Sequence, residues 1–221
     1  MDFTGKIMGM PVDKALQEAI AKLGAVYSKG SSLNPGWSYN PIPFPEFENI
    51  PCHRLETSYS RWQVLQSFIN DWKSKVVLDI GCNVGFFSFK ALKMGGRVYG
   101  VELDNASRRV CQLVTKKYKL DGKFTKKINF KIHYDIVLAF SVLNWMGKSE
   151  SEYILNNLDN NLLFVEMPLD NDGMGGASWL KTLGDFETWI TASTPYKNFS
   201  LLSSQMAPGG KERWLYVFTR S

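Results

Sequence analysis

The sequence contains few of the side chains that build disulfide frameworks or metal centres. Its cysteines are Cys52, Cys82 and Cys111, scattered along 221 residues, and its two histidines are His53 and His133. A disulfide-stapled fold needs more cysteines in a shorter chain, and a zinc site needs its ligands at close, regular spacing. We therefore expect no metal site and a protein that works in a reducing compartment.

Long apolar runs are also missing. No stretch of 18 apolar residues occurs, and the first residues include Asp2 where a signal peptide would have an apolar core. These absences predict a soluble, cytoplasmic protein that does not associate with a membrane. Charge decides little, because 26 basic against 21 acidic side chains give a net charge of +5, which permits an anionic partner without requiring one.

What the chain does contain, from residue 75 onward, is an alternation of strand and helix patterns. Such alternation predicts an α/β fold with a doubly wound, mainly parallel, seven-stranded sheet. Pro208-Gly209-Gly210 is expected to join the last two strands as an antiparallel hairpin. The expected strands are 75–80, 97–102, a weak strand at 128–132, 135–142, 161–167, 198–206 and 212–220; the expected helices are 83–94, 106–118, 149–158 and 177–190.

The N-terminal part of the chain, residues 1–56, differs in composition from the rest. Residues 12–23 have the spacing of an amphipathic helix, and residues 28–51 are rich in proline and aromatic side chains. Pro41, Pro43 and Pro45 favour an extended path. The aromatic side chains predict an ordered lid over the remaining domain, residues 57–221, with a partner surface as the alternative. That domain is expected to begin with a helix at 57–72.

The most informative stretch is V-V-L-D-I-G-C-N-V-G, which ends at Gly85. Here a buried strand ends at an acidic residue, Asp79, and leads through a glycine turn into a helix, which Asn83 is expected to cap. Glycines let a ligand approach the backbone closely. The next strand ends at Glu102, at about the spacing where related sheets hold a ribose. The two carboxylates together predict a site for a nucleoside cofactor.

These motifs, taken in order, resemble those of the class I S-adenosylmethionine-dependent methyltransferases. L-D-I-G-C-N-V-G-F-F-S is similar to the first motif of that superfamily, G-V-E-L-D to the acidic second motif, and Y-D-I-V-L-A-F-S-V-L-N-W to the fourth. The resemblance covers about residues 75–220. It implies a Rossmann-like methyltransferase fold, an enzyme, and S-adenosylmethionine as cofactor.

The resemblance also implies roles for individual residues. Glu102 would accept hydrogen bonds from both ribose hydroxyls, and Ser141 would close the methionine side. Short segments also look like tRNA wobble-uridine modifying members of the superfamily, and by that analogy Arg61 would reach the cofactor carboxylate; a surface arginine is the alternative. The full set implied for cofactor binding is Asp79, Gly81, Cys82, Asn83, Gly85, Glu102, Leu103, Asp104, Ser141 and Arg61.

Methyl transfer from a sulfonium depends mainly on alignment of the reacting atoms and exclusion of water. The loops after the fourth and fifth strands are expected to reach the reacting centre. Asn144 could accept a hydrogen bond from an attacking amine, Trp145 could cover the sulfonium, and Glu166 is the best-placed proton acceptor. For Trp145 the alternative is a place in the core, and for Glu166 a structural hydrogen bond.

The methyl acceptor is not identified by the sequence. A small molecule is favoured over RNA, because no strongly basic, aromatic-interleaved surface is evident; the lysines between residues 116 and 131 are expected to form a solvated face. A tRNA or RNA 5′-phosphate methyltransferase and a catalytically silent cofactor-binding module remain alternatives. A nicotinamide-dependent oxidoreductase is disfavoured, because G-C-N-V-G-F lacks the three-glycine fingerprint. The residue that reads the adenine also stays unnamed.

Overall fold

The computed structural model describes residues 13–23, 37–168, 182–207 and 211–220. Seven strands form one sheet in the order β3-β2-β1-β4-β5-β7-β6. The first five run parallel, and β7 is antiparallel to both of its neighbours. The predicted α/β fold with a mainly parallel seven-stranded sheet is confirmed.

The strand and helix bounds follow the predicted alternation closely. The strands are β1 Val76–Ile80, β2 Arg97–Val101, β3 Gly122–Thr125, β4 His133–Phe140, β5 Asp159–Pro168, β6 Tyr196–Ala207 and β7 Lys211–Arg220. The helices are α1 Lys14–Ala21, α2 Leu55–Phe68, α3 Phe86–Lys93, α4 Asn105–Tyr118, α5 Lys148–Asn157 and α6 Leu183–Ser193, with short 3₁₀ turns at Pro45–Phe47 and Leu143–Trp145. The predicted hairpin turn at 208–210 and residues 177–181 of the predicted helix lie outside the described residues.

Both faces of the sheet are covered, which explains why the central strands are almost wholly apolar. Successive residues of β1 enter different clusters: Val77 packs with the aromatic residues of α3, whereas Leu78 and Ile80 pack with residues of α5 and α6. Asp79 is the polar exception in this strand, at 3% exposure. Burying a carboxylate costs free energy unless it is hydrogen-bonded or paired, so a buried aspartate in a central strand is a candidate functional residue.

The predicted third strand at 128–132 is wrong. The strand lies earlier, at Gly122–Thr125, where it pairs with β2 and buries Phe124. Residues 128–132 form a loop instead, although Ile128, Phe130 and Ile132 do pack partly against the second hydrophobic cluster. These apolar side chains are partly buried although the segment pairs with no strand in the described part of the chain. The place beside β2 is already taken by β3.

Two helix ends also differ from the predictions. Helix α2 ends at Phe68, and Trp72 lies beyond it, buried and 4.9 Å from the ring of Trp62. Helix α3 begins at Phe86 with Gly85 at its N-cap in the left-handed region, so Asn83 does not cap it. The turn that contains Gly81 and Gly85 extends two residues further along the chain than predicted, and the helix begins only after it.

The described N-terminal residues pack on the same core as the α/β body. The ring of Phe44 stacks on Tyr118 of α4 at 4.0 Å and meets Phe89 of α3 at 5.4 Å. Lys117 forms an ion pair with Glu46 at 2.8 Å. Because these side chains share one hydrophobic cluster with Leu16 and Val77, the segment is ordered by core packing. The division at residue 56 stays a prediction, as does the helix start at Val12, which lies outside the described residues.

The described helices include none that is long and apolar enough to cross a membrane. Within the described ranges there is also no group of three or more histidine, cysteine or acidic side chains placed to hold a metal ion.

Candidate active site

The turn between β1 and α3 places two glycines, Gly81 and Gly85, at the carboxyl edge of the sheet. Gly81, Asn83 and Gly85 all have positive φ, at 70°, 51° and 84°. A Cβ at Gly81 would lie 2.7 Å from Cγ2 of Val142, and one at Gly85 would lie 2.7 Å from the Phe89 ring. Glycine is therefore required at both positions for conformation and for space. The turn presents its peptide groups where a parallel α/β sheet binds ligands, between β1 and β4.

Glu102 ties this turn to the end of β2. Its Oε2 accepts a hydrogen bond from the backbone N–H of Asn83 at 2.8 Å, and its Oε1 accepts one from Asp104 at 2.8 Å. Burial raises the pKa of Glu102, while these two backbone donors act in the opposite direction. Each carboxylate oxygen has a further lone pair free to accept. The arrangement could therefore hold a pair of neighbouring hydroxyls.

Asp79 lies one strand away from Glu102 and is almost fully buried. The hydroxyl of Ser88 donates to its Oδ2 at 2.6 Å. Burial raises the pKa of Asp79 to about 7, and the negative charge of Glu102 adds to this rise. The two predicted carboxylates thus interact across one turn, and Asp79 is poised to bind a cation or a donor group.

Three other predicted cofactor residues have distinct surroundings. Cys82 is buried, and burial raises the pKa of its thiol well above the ordinary value, so it is a neutral residue of the turn. Asp104 uses its carboxylate to cap α4, accepting from the N–H of Ser107 at 2.8 Å. Leu103 is 72% exposed at the rim, an unusual position for a large apolar side chain. Their contacts with a cofactor stay predictions.

Residues 37–54 reach the same turn, which sequence reasoning did not specify. The backbone N–H of Asn40 donates to Oδ1 of Asn83 at 3.4 Å, and the hydroxyl of Ser58 donates to Oδ1 of Asn40 at 3.0 Å. Asn40 and Ser58 are both buried. These bonds anchor the proline-rich segment to the turn between β1 and α3, and its role as a lid stays a prediction.

A second polar cluster lies where β4 and β5 end. Glu166 is 2% exposed and forms an ion pair with Nη1 of Arg61 at 2.6 Å. The hydroxyl of Ser141 donates to Oε1 of Glu166 at 2.6 Å, and Nη1 of Arg213 lies 3.4 Å from the same oxygen. Ser141 itself has φ of 52°, a strained value for serine, and its hydroxyl also accepts from Arg213. Strain of this kind concentrates at functional sites.

These contacts argue against the predicted role of Glu166 as proton acceptor. Burial alone would raise its pKa, but the positive charges of Arg61 and Arg213 outweigh burial and hold the pKa of Glu166 below its usual value. Both carboxylate oxygens are engaged by donors. A carboxylate that stays ionised and fully hydrogen-bonded is a weak base, so Glu166 is better suited to orient its partners.

Asn144 and Trp145 lie on the short 3₁₀ turn that follows β4. Asn144 is 7% exposed, and its Oδ1 has no hydrogen-bond partner among the described residues. A buried amide oxygen without a donor is uncommon and leaves an acceptor for a ligand. Trp145 is 68% exposed, so the alternative that it belongs to the core is excluded. Their catalytic roles stay predictions.

Sequence reasoning missed two basic residues of this cluster, Arg54 and Arg213. With Arg61 and Glu166 they line a narrow cleft. We call this the arginine cleft; Thr57 and Ser203 also line it. The guanidinium of Arg54 lies 5.0 Å from the Tyr39 ring centre. Burial lowers the pKa of Arg54, and the charges of Arg213 and Arg61 lower it further. No sequence signal joins Arg54 to Arg213, because the fold alone brings them together.

A comparison with known protein families identifies a domain in part of this chain. Residues 78–160, from β1 into the start of β5, match a family model described as a methyltransferase domain. No curated protein sequence matches the chain.

Solved structures resemble the chain along most of its length. The bifunctional kinase-methyltransferase WbdD aligns at 16% identity and a TM-score of 0.66, covering 92% of this chain and 46% of WbdD. Magnesium protoporphyrin IX methyltransferase from Synechocystis PCC 6803, solved with S-adenosylmethionine, aligns at 16% identity and 0.59, covering 96% and 100%. The N-terminal domain of EvdMO1, solved with S-adenosylhomocysteine and D-fucose, aligns at 10% identity and 0.62, covering 84% and 91%.

At such identities these likenesses establish the fold, and this chain spans about half the length of WbdD. The family match adds the methyltransferase domain, over the strands that carry the turn, both predicted carboxylates and the 3₁₀ turn after β4. The predicted methyltransferase is confirmed as a methyltransferase domain over this stretch, and structures of the same fold were solved with S-adenosylmethionine or S-adenosylhomocysteine. Residues 78–160 match a methyltransferase domain, and the fold of the chain is that of solved S-adenosylmethionine-dependent methyltransferases.

Proposed function

We propose that this protein transfers the methyl group of S-adenosylmethionine to a small-molecule acceptor. One observation carries the proposal: Asp79 and Glu102 end adjacent strands and enclose one glycine turn at the β1–β4 switch of the sheet. Doubly wound sheets bind their ligands at this position.

The residues of the turn fit the cofactor chemically. The remaining lone pairs of Glu102 suit the two ribose hydroxyls, and Asp79 suits the positively charged amino group of the methionine part. A Cβ at Gly81 or Gly85 would meet Val142 or Phe89, so larger residues at these positions would displace the turn from Glu102. Leu103, exposed at the rim, supplies an apolar surface for the adenosine. When bound, the cofactor supplies a methyl group activated by its sulfonium charge.

The chain's own contribution is to align the acceptor and exclude water. The buried Oδ1 of Asn144 can accept a hydrogen bond from an N–H or O–H of the acceptor. Glu166 keeps Arg61 and Ser141 in place. The segment anchored through Asn40 covers the turn and limits solvent on that side.

A small-molecule acceptor is supported by the position of the lysines and by one structural relative. The arginine cleft is lined by side chains of α2, β5, β6 and β7. The lysine-rich residues 116–131 lie near β3, at the opposite edge of the sheet from β6. A structural relative, the EvdMO1 domain, was solved with a sugar, D-fucose. An RNA acceptor would be expected to engage a basic surface beside the site.

Calorimetry with S-adenosylhomocysteine tests the cofactor site. Asp79→Ala and Glu102→Ala should each weaken binding by about a hundredfold, because each removes charge-assisted hydrogen bonds of about 1.5–3 kcal/mol apiece. Asp121→Ala is the matched control, since that carboxylate is 62% exposed at the far edge. Normal affinity in both site variants, with circular dichroism showing a folded protein, refutes the assignment.

Turnover separates the remaining alternatives. Incubation with methyl-labelled S-adenosylmethionine and a panel of small acceptors and RNAs should transfer label to a small molecule. Binding of S-adenosylhomocysteine without transfer to any acceptor indicates a silent module. A rise in melting temperature with NADH and none with S-adenosylhomocysteine indicates the oxidoreductase.

A further inference from the structure

The arginine cleft carries more positive charge than its own carboxylate balances. Arg54 and Arg61 are 8% and 5% exposed, and the side chain of Arg213 is 13% exposed. Among the described residues that line the cleft, Glu166 is the one acidic side chain. Three guanidiniums therefore share one negative charge in a largely buried space. Buried charges are normally paired, so the cleft lacks anionic partners.

The cleft also contains hydrogen-bond donors that nothing in the described part of the chain satisfies. Nη2 of Arg61, Nε of Arg213 and the hydroxyls of Thr57 and Ser203 are buried without a partner. Buried polar atoms are nearly always paired in native proteins, by protein, water or ligand. Four unpaired groups that can donate, in one positively charged cleft, indicate a ligand made of oxygen acceptors.

We propose that the arginine cleft binds an oxyanion group, a phosphate or a carboxylate, of the methyl acceptor. The inference rests on the proposed methyl transfer and names the chemistry of its substrate. Guanidinium groups match both oxyanions, because their planar N–H donors pair with two oxygens at once. The hydroxyls of Thr57 and Ser203 would donate to the remaining oxygens.

Position favours the acceptor over the cofactor's own carboxylate as the source of this group. The cofactor turn lies between β1 and β4, whereas Arg213 and Ser203 belong to β7 and β6, beyond β5 in the sheet. Arg61 borders both regions, since its guanidinium lies 5.4 Å from the ring centre of Phe87 in α3. The arginine cleft thus begins beside the cofactor site and extends away from it.

The test titrates inorganic phosphate, and separately acetate, into the full chain saturated with S-adenosylhomocysteine. At least one anion should bind saturably at one site. Arg54→Gln should weaken that binding at least about tenfold, because it removes a charged donor and leaves the Arg61–Glu166 pair intact. Arg97→Gln, which removes an arginine 58% exposed at the opposite edge, should leave it unchanged. Ser203→Ala provides a second, milder variant should Arg54→Gln fail to fold.

The source of the anion is decided by comparing two cofactor fragments. 5′-Methylthioadenosine lacks the methionine carboxylate that S-adenosylhomocysteine carries. If Arg54→Gln weakens binding of S-adenosylhomocysteine but not of methylthioadenosine, the cleft serves the cofactor and the inference is overturned. Competition between phosphate and S-adenosylhomocysteine, or no saturable binding of either anion, also overturns it. If the protein binds an anion but does not bind S-adenosylhomocysteine, the cleft is an oxyanion site and the methyltransferase proposal alone is refuted.

Discussion

Replacing Asp79 with Asn should stabilise the protein, and more strongly at high pH than at low pH. The substitution keeps the shape of the side chain and an oxygen that accepts from Ser88. It removes the carboxylate whose pKa burial raises to about 7. Between the ordinary value of 3.8 and about 7, the unfolded chain ionises at this residue while the folded protein stays protonated. Stability therefore falls as pH rises through this window, and Asn abolishes that loss.

The magnitude follows from the two pKa values. At about 1.4 kcal/mol for each pH unit, ionisation of Asp79 disfavours the folded state by about 4 kcal/mol at pH 8 and by about 2 kcal/mol at pH 5. The stabilisation by Asp79→Asn should therefore be about 2–3 kcal/mol larger at pH 8 than at pH 5. Any effect of the new amide that does not depend on pH cancels in this difference.

Urea unfolding of both proteins at the two pH values, without cofactor, measures this difference. The corresponding shift in melting temperature is about 5–10 °C for a chain of this size. Asp121→Asn, at an exposed carboxylate, is the control and should show no such pH dependence. A stabilisation of equal size at both pH values would refute the reasoning, because it would mean that Asp79 ionises normally in the folded protein.

Three other perturbations address the same edge of the sheet. Glu166→Gln should lower the unfolding free energy in urea by about 3–5 kcal/mol, because it leaves buried guanidiniums without their counter-charge. Gly81→Ala places a methyl group 2.7 Å from Val142 at positive φ, so calorimetry should show weaker S-adenosylhomocysteine binding, and Val142→Ala should restore part of it. Ligand binding near pH 7 should release the proton held by Asp79, so the calorimetric enthalpy should vary with the ionisation heat of the buffer.

Each of these has a clear negative outcome. Unchanged stability of Glu166→Gln would mean that the arginines around it are solvated in solution. Full affinity of Gly81→Ala for S-adenosylhomocysteine would mean that the glycine turn is not part of the binding site. An enthalpy that is the same in all buffers would mean that Asp79 does not change its protonation when the ligand binds.

The cofactor half of the fold was predictable because its signals are local. Val76 to Ile80 is a short apolar run that ends beside glycines, and the acidic residue, the turn and the helix follow within ten positions. The second strand repeats the pattern, and Glu102 follows it directly. Burial on both faces makes such strands continuous apolar runs, which can be read directly from the residues.

The third strand could not be located by the same rules. Gly122–Thr125 buries one large side chain, Phe124, and is held mainly by pairing with β2. A short edge strand of this kind leaves almost no hydrophobic pattern. The isoleucines at 128 and 132 show alternation, but they obtain their burial from a loop that packs on the second cluster. Tertiary packing outweighs local preference here.

The arginine cleft was equally hidden, for a different reason. Arg61 could be proposed by analogy, but Arg54 precedes a helix and Arg213 begins the last strand, and each looks like an ordinary surface arginine in the sequence. Their burial depends on α2 lying against β6 and β7, which no local pattern encodes. Excess charge in a cleft is a property of the folded chain.

The reversed direction of β7 has a consequence for how this enzyme could change its specificity. Since β7 runs against β5, Arg213 lies opposite Pro168, at the edge where the parallel strands finish. If the arginine cleft binds the acceptor as proposed, the first residues of β7 contribute to substrate choice, while the proposed cofactor residues Asp79 and Glu102 lie more than a hundred positions earlier in the sequence. Under that proposal, exchange of β6 and β7 should change the acceptor that is methylated and leave binding of S-adenosylmethionine unchanged.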